Sequence, residues 1–237
     1  NAKRKGEPLV IYASPLVDVA ANMELLRETV EMCKLILEET AWHIRLLSKS
    51  NLLPKIAQAL ASTSVKLKCG RHRARIIYGV STGTLDDKLA QAFEENCPLV
   101  SKRIQSLHWL QDNGYRTFGM ICPSLPKRDY TQFAEEMFHA VRFDRCEHVW
   151  AEVINFRGDS FIRTIKALRA GGFNEEADLL HETSSNAGAW EVYARDTFLA
   201  EAAHFSADSG KFRFLQYVTG QTRGWWEGQR AYGAVLL

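Results

Sequence analysis

Apolar positions along the chain alternate between two patterns. Short β-rich runs recur at Leu9–Ala13, His43–Leu47, Ala74–Val80, Arg116–Cys122 and His148–Ile154. Between them, apolar residues return at helical spacing. Leu26, Val30, Cys33 and Leu37 make one stripe, and a short helix is predicted over Leu53–Leu60. Val100, Ile104 and Leu107 share a face, and Asn113–Gly114 follows as a helix stop. Phe133, Met137 and Val141 form the next stripe, after Pro123 closes the fourth run. The strand starts lie about 31–42 residues apart, the size of a βα unit. Repeated βα units predict parallel strands with right-handed crossovers. The spacing leaves an open sheet and a barrel equally open, and in both the functional residues belong just past the strand C-termini.

The pattern changes near residue 160. Ile162–Leu168 and Glu175–Leu180 read as short helices split by Gly171–Gly172, and Trp190–His204 reads as another. The end of the chain is aromatic and basic, with Phe212, Arg213, Phe214, Tyr217, Arg223, Trp225, Trp226, Arg230 and Tyr232. A division into a βα part, 1–160, and a mostly helical extension, 161–237, follows.

A net charge of +2 over 237 residues means that any nucleic-acid contact must come from a local basic surface. No apolar run approaches the roughly 20 residues of a membrane helix, so no membrane role is expected. Five cysteines, odd in number and without CxxC spacing, read as reduced thiols of a cytoplasmic protein. Neither they nor any tight His/Asp/Glu cluster predicts a metal site. No P-loop, GxGxxG, HExxH or GxSxG is present. The basic segment Lys66–Arg73 reads mainly as a solvated loop, with phosphate contact the lesser reading.

The strand ends are polar: Ser14-Pro15-Leu16-Val17-Asp18, Ser48-Lys49-Ser50, Ser81-Thr82-Gly83-Thr84, Cys122-Pro123-Ser124 and Asn155-Phe156-Arg157-Gly158. Singly, each reads as an ordinary loop; together they make a ligand site at one end of one sheet. Glu152 differs, because a carboxylate between Ala151 and Val153 is costly to bury without a partner. It is a functional group, a structural partner of an Arg or Lys, or the general base of an unrelated barrel.

These strand ends carry a resemblance. SPLVD at 14–18, RLLSKS at 45–50, GVST at 79–82, GMICPS at 119–124 and WAEVINFR at 150–157 resemble the radical S-adenosylmethionine superfamily, in the branch of the photoproduct lyases. The resemblance implies a partial (β/α)6 TIM-like barrel lacking its first βα unit. In that family the missing unit carries CxxxCxxC, whose thiolates hold a [4Fe–4S] cluster. No such motif occurs in this chain, so its ligands are expected upstream of Asn1. The implied chemistry is reductive cleavage of S-adenosylmethionine to a 5′-deoxyadenosyl radical, with flavodoxin or ferredoxin as electron donor. DNA repair is the implied reaction. Ser14, Asp18, Lys49, Ser81 and Thr82 then fall at the cofactor, and Glu152 and Arg157 face cofactor or substrate. Cys122 is the cysteine placed to return hydrogen; the competing reading is a buried structural thiol. The C-terminal aromatic and basic residues then clamp DNA or cover the open side of the barrel. The alternative is a cluster-less barrel that binds nucleotide or nucleic acid. A barrel short of a strand exposes an unpaired edge, which predicts a poorly soluble or oligomeric chain.

Overall fold

The computed structural model describes residues 9–13, 17–62, 72–155, 159–205 and 210–237. Seven strands form one sheet in the order of the sequence, every neighbouring pair parallel. They are β1 (Val10–Ala13), β2 (His43–Ser48), β3 (Ile76–Ser81), β4 (Thr117–Ser124), β5 (His148–Val153), β6 (Phe212–Gln216) and β7 (Ala234–Leu236). The crossovers carry α1 (Met23–Glu39), α2 (Leu53–Ser62), α3 (His72–Arg75), α4 (Asp87–Phe93), α5 (Val100–Asp112) and α6 (Tyr130–Ala140). Three helices, α7 (Ser160–Ala170), α8 (Asn174–Ser184) and α9 (Ala187–Phe205), separate β5 from β6, and α10 (Arg223–Gly228) precedes β7.

The sequence explains these elements locally. Asn22 caps α1 by accepting from the backbone N–H of Glu24 and Leu25. The predicted stripe Leu26, Val30, Cys33 and Leu37 is buried, joined by Thr29. Buried Arg75 fastens the loop after α1, donating to the carbonyls of Leu37, Thr40 and Trp42. Of these, the carbonyls of Leu37 and Thr40 are ones that the helix end leaves without intrahelical partners. Gly114, at φ +72°, follows α5 where Asn113–Gly114 predicted a stop.

Strands β2 and β5 alternate in burial. Ile44, Leu46, Val149 and Ala151 pack into the layer between sheet and helices, where the core lies. The opposite face carries Arg45, Leu47, Trp150 and Glu152, which with Tyr12 of β1 and Met120 of β4 line one cavity of about 410 Å³. Tyr12 and Leu215 also share that cavity, although β1 and β6 lie five places apart in the sheet. The sheet therefore curls into a partial barrel. Tyr12 and Phe118 meet across this lumen with ring centroids 6.5 Å apart. A Cβ on Gly79 would lie 2.1 Å from the Phe118 ring, so glycine is required where the ring crosses β3.

Two features depart from the sequence reading. Strand β4 does not stop at Pro123: it runs on to Ser124, with its register to β5 shifted between Ile121 and Ser124. A proline has no N–H for the ladder, and an irregularity is where a strand tolerates it. The aromatic and basic tail also supplies two more strands to the same sheet. Phe212 and Phe214 of β6 are buried, and Phe214 stacks on the buried Trp226 at 5.9 Å. These three rings are core and present no surface to a nucleic acid. Strand β1 is a sheet edge and leaves Leu9, Val10 and Tyr12 exposed.

Candidate functional site

Parallel strands put the residues that follow β1 to β5 at one mouth of the barrel, and hydrogen bonds knit them together. Asp18 accepts from the Ala20 N–H at 2.9 Å, the Ser48 hydroxyl at 2.5 Å and the Lys49 N–H at 2.7 Å. Its carboxylate thus fixes the turn after β1 to the end of β2. Lys49 reaches Glu94 Oε1 at 2.5 Å, and Arg103 Nη2 lies 2.6 Å from Glu94 Oε2. Arg103 is fully buried and also donates to the carbonyls of Pro98 and Ser81. Glu94 is therefore the counter-ion of two cations beneath the mouth.

The ends of β3 and β4 lie against each other. The Ser81 hydroxyl donates to the Cys122 carbonyl at 3.4 Å, and the Thr82 hydroxyl donates to the Thr84 carbonyl at 2.5 Å. The Thr82 N–H bonds to Met120, and the Cys122 N–H bonds to Thr82. A Cβ on Gly83 would fall 1.8 Å from the Pro123 carbonyl oxygen, so only glycine allows this approach.

Cys122 and Glu152 come together on the lumen wall, with Sγ 3.8 Å from Glu152 Oε2. Burial pushes the Cys122 thiol up to about 12, and the neighbouring carboxylate adds to the effect. Burial also raises Glu152 above the usual carboxylate range, while the thiol's hydrogen bond opposes the rise. Tyr12, across the lumen and open to solvent on one side, is pushed up to about 12, mainly by the partial burial of its ring. Cys122 and Tyr12 are thus neutral S–H and O–H donors at neutral pH. No ion pair joins Glu152 to any described residue, so the expected Arg or Lys partner is not among them. Ser14 and Arg157 lie outside the described residues.

Several residues of the site carried no motif in the sequence. Arg45 and Trp150 share the lumen cavity with Glu152. Parity places them on one face of each strand: Trp150 stands two residues before Glu152, and Arg45 two before Leu47. His148, two residues earlier again, stacks on Phe118 at 4.9 Å; burial and then the charge of Arg45 bring it down to about 4. Behind the mouth, the Ser124 hydroxyl donates to Glu201 Oε1 at 3.1 Å, and Glu201 is fully buried. Burial pushes its carboxyl up to about 8 against the hydrogen bond of Ser124 and the charge of Lys127. The Tyr193 hydroxyl accepts from the Ile154 N–H and donates to the Ser124 carbonyl, tying α9 to β4 and β5.

Among the described residues no group of three His, Cys, Asp or Glu side chains could hold a metal ion. Likewise, no helix among them is long and apolar enough to cross a membrane.

No family model matches the chain, and no curated protein sequence matches it. Solved structures do. A tyrosine-to-phenylalanine variant of spore photoproduct lyase superposes with a TM-score of 0.62 at 13% identity, covering 91% of this chain and 63% of that one. A cysteine-to-alanine variant with a dinucleoside spore photoproduct gives 0.52 at 13% identity, over 70% of this chain and 47% of the lyase. The chain thus spans between about half and two thirds of the length of these lyases. The order of parallel strands and the curl of the sheet are thus the fold that spore photoproduct lyase also has.

Proposed function

We propose that this chain is the barrel of a radical S-adenosylmethionine enzyme of the photoproduct-lyase-like kind, with a damaged DNA base as substrate. The observation that carries the proposal is the likeness to spore photoproduct lyase over 91% of this chain. The order of polar strand ends around the lumen adds support, since barrels of this type act at the C-terminal ends of their strands.

The described residues offer no ligand set for a [4Fe–4S] cluster. In this reading its ligands belong to sequence outside them, and the chemistry of this chain rests on the lumen wall. Burial keeps Cys122 as a thiol. A neutral S–H can give a hydrogen atom to a carbon radical, leaving a thiyl radical; a thiolate has no such hydrogen to give. Glu152, 3.8 Å away, orients that S–H and faces the substrate. The O–H of Tyr12, on the opposite wall, is the second neutral donor. Asp18 positions the loop that presents Lys49, and Ser81 and Thr82 hold the β3–β4 end that presents Cys122.

The test is anaerobic incubation of ultraviolet-irradiated DNA with the protein from its whole gene, S-adenosylmethionine and dithionite, followed by chromatography of the digested DNA. A thymine photoproduct should decrease with wild type, and Cys122→Ala should slow the decrease or divert the product. Release of 5′-deoxyadenosine with the photoproducts untouched would remove DNA as the substrate. A second reading draws on the engagement of Asp18, Lys49, Ser81 and Thr82 with neighbouring protein groups. In it the barrel binds nucleotide without radical chemistry, and neither product appears.

A further inference from the structure

Two opposite charges line the lumen cavity without meeting. Arg45 projects from β2 and Glu152 from β5, and both border the same 410 Å³ space. Among the described residues no ion pair or hydrogen bond joins them, and Arg45 has no carboxylate partner. Its Nε is buried and donates to none of the described residues. Among the described residues the polar contact of Glu152 is the Cys122 thiol, at 3.8 Å, a weak donor. A guanidinium partly withdrawn from water without a counter-ion is unfavourable, and a bound anion would relieve this. The rest of the wall is apolar or aromatic, with Leu47, Met120, Tyr12 and Trp150. The volume lies in the range of small-molecule sites, about 300–1,000 Å³.

This arrangement fixes the polarity of what can bind. An anionic group belongs at Arg45, where a fork of N–H donors suits a phosphate. It is repelled at the Glu152 end, where a carboxylate accepts hydrogen bonds from a hydroxyl or amino group. Between the two ends, a flat ring packs against Trp150 and Tyr12. We infer that the barrel lumen is a binding site for a nucleoside monophosphate, its phosphate on Arg45 and its hydroxyl or ring N–H donated to Glu152. The inference deepens the nucleotide-binding reading of the barrel and rests on it, and it needs no radical chemistry.

The experiment is calorimetric titration of the whole protein with thymidine 5′-monophosphate, thymidine and inorganic phosphate. Wild type should bind the monophosphate saturably, and at least about tenfold more tightly than thymidine. Arg45→Met should remove at least about tenfold of the monophosphate affinity and leave that for thymidine unchanged. Arg45→Lys keeps the charge but loses the fork, so it should fall between the two. Glu152→Gln, which still accepts a hydrogen bond, should retain binding. The inference is overturned if the monophosphate does not bind at millimolar concentration, if thymidine binds equally well, or if inorganic phosphate binds as tightly as the nucleotide. Should Arg45→Met fail to melt cooperatively, Arg45→Lys decides: affinity equal to wild type overturns the inference.

Discussion

Glu201 gives the sharpest test of how burial shapes this barrel. Its carboxyl is fully buried on α9, takes one hydrogen bond from Ser124 and leaves Oε2 without a partner among the described residues. Burial raises it from 4.5 to about 8, so the folded state holds this proton where the unfolded chain has released it. The stabilising contribution of the protonated form is complete below the unfolded value, and it is lost as pH rises through the folded one. The difference of some three and a half units corresponds to roughly 4–5 kcal/mol once pH exceeds 8. Lys127, the nearby cation, is itself brought down to about 8 by burial, so it offers little compensation above that pH. Glu201→Gln keeps an acceptor for Ser124 and cannot ionise. Urea unfolding of wild type and variant should therefore give similar stabilities at pH 5. At pH 9 the variant should be the more stable by several kcal/mol. A difference between the two proteins that does not change from pH 5 to 9 would refute the reasoning, as would one that changes in favour of wild type.

Other substitutions test the mouth. Glu94→Ala leaves Arg103 buried without its counter-ion and should cost about 3 kcal/mol, lowering the melting temperature by roughly 6–12 °C. A shift under about 2 °C would mean that the pair is solvated. Asp18→Ala removes three hydrogen bonds, two of which join the β1 turn to the end of β2, so roughly 2–3 kcal/mol should be lost in urea unfolding. Unchanged stability would mean that this carboxylate serves a ligand and not the loop.

Much of the layer outside the barrel was legible, because its signal is local. The stripe Leu26, Val30, Cys33 and Leu37 needs only helical period, and it is buried as read. The tail was not legible as sheet. In β6, Phe212 and Phe214 alternate with Arg213 and Leu215 over only five residues, after a long helix, and strong aromatic and basic content masks so short a period. Strand β7 has three residues, too few for any pattern. The same limit holds at the mouth. Glu152 stood out as a charge inside an apolar strand, yet its neighbour Cys122 comes from another strand. Lys49 and Glu94 meet across 45 positions of sequence, and no spacing rule reaches that far. Arg45 and Trp150 could be assigned to the lumen only once the sheet was known to curl, since parity gives a face but not what that face encloses.

The central claim is that this fold supports radical chemistry on S-adenosylmethionine. The direct measurement uses the protein from its whole gene, reconstituted anaerobically with iron and sulfide, then given S-adenosylmethionine and dithionite. Chromatography should show 5′-deoxyadenosine and methionine released in equal amounts, only when iron and reductant are both present. A folded, reconstituted protein that leaves S-adenosylmethionine intact would contradict the claim.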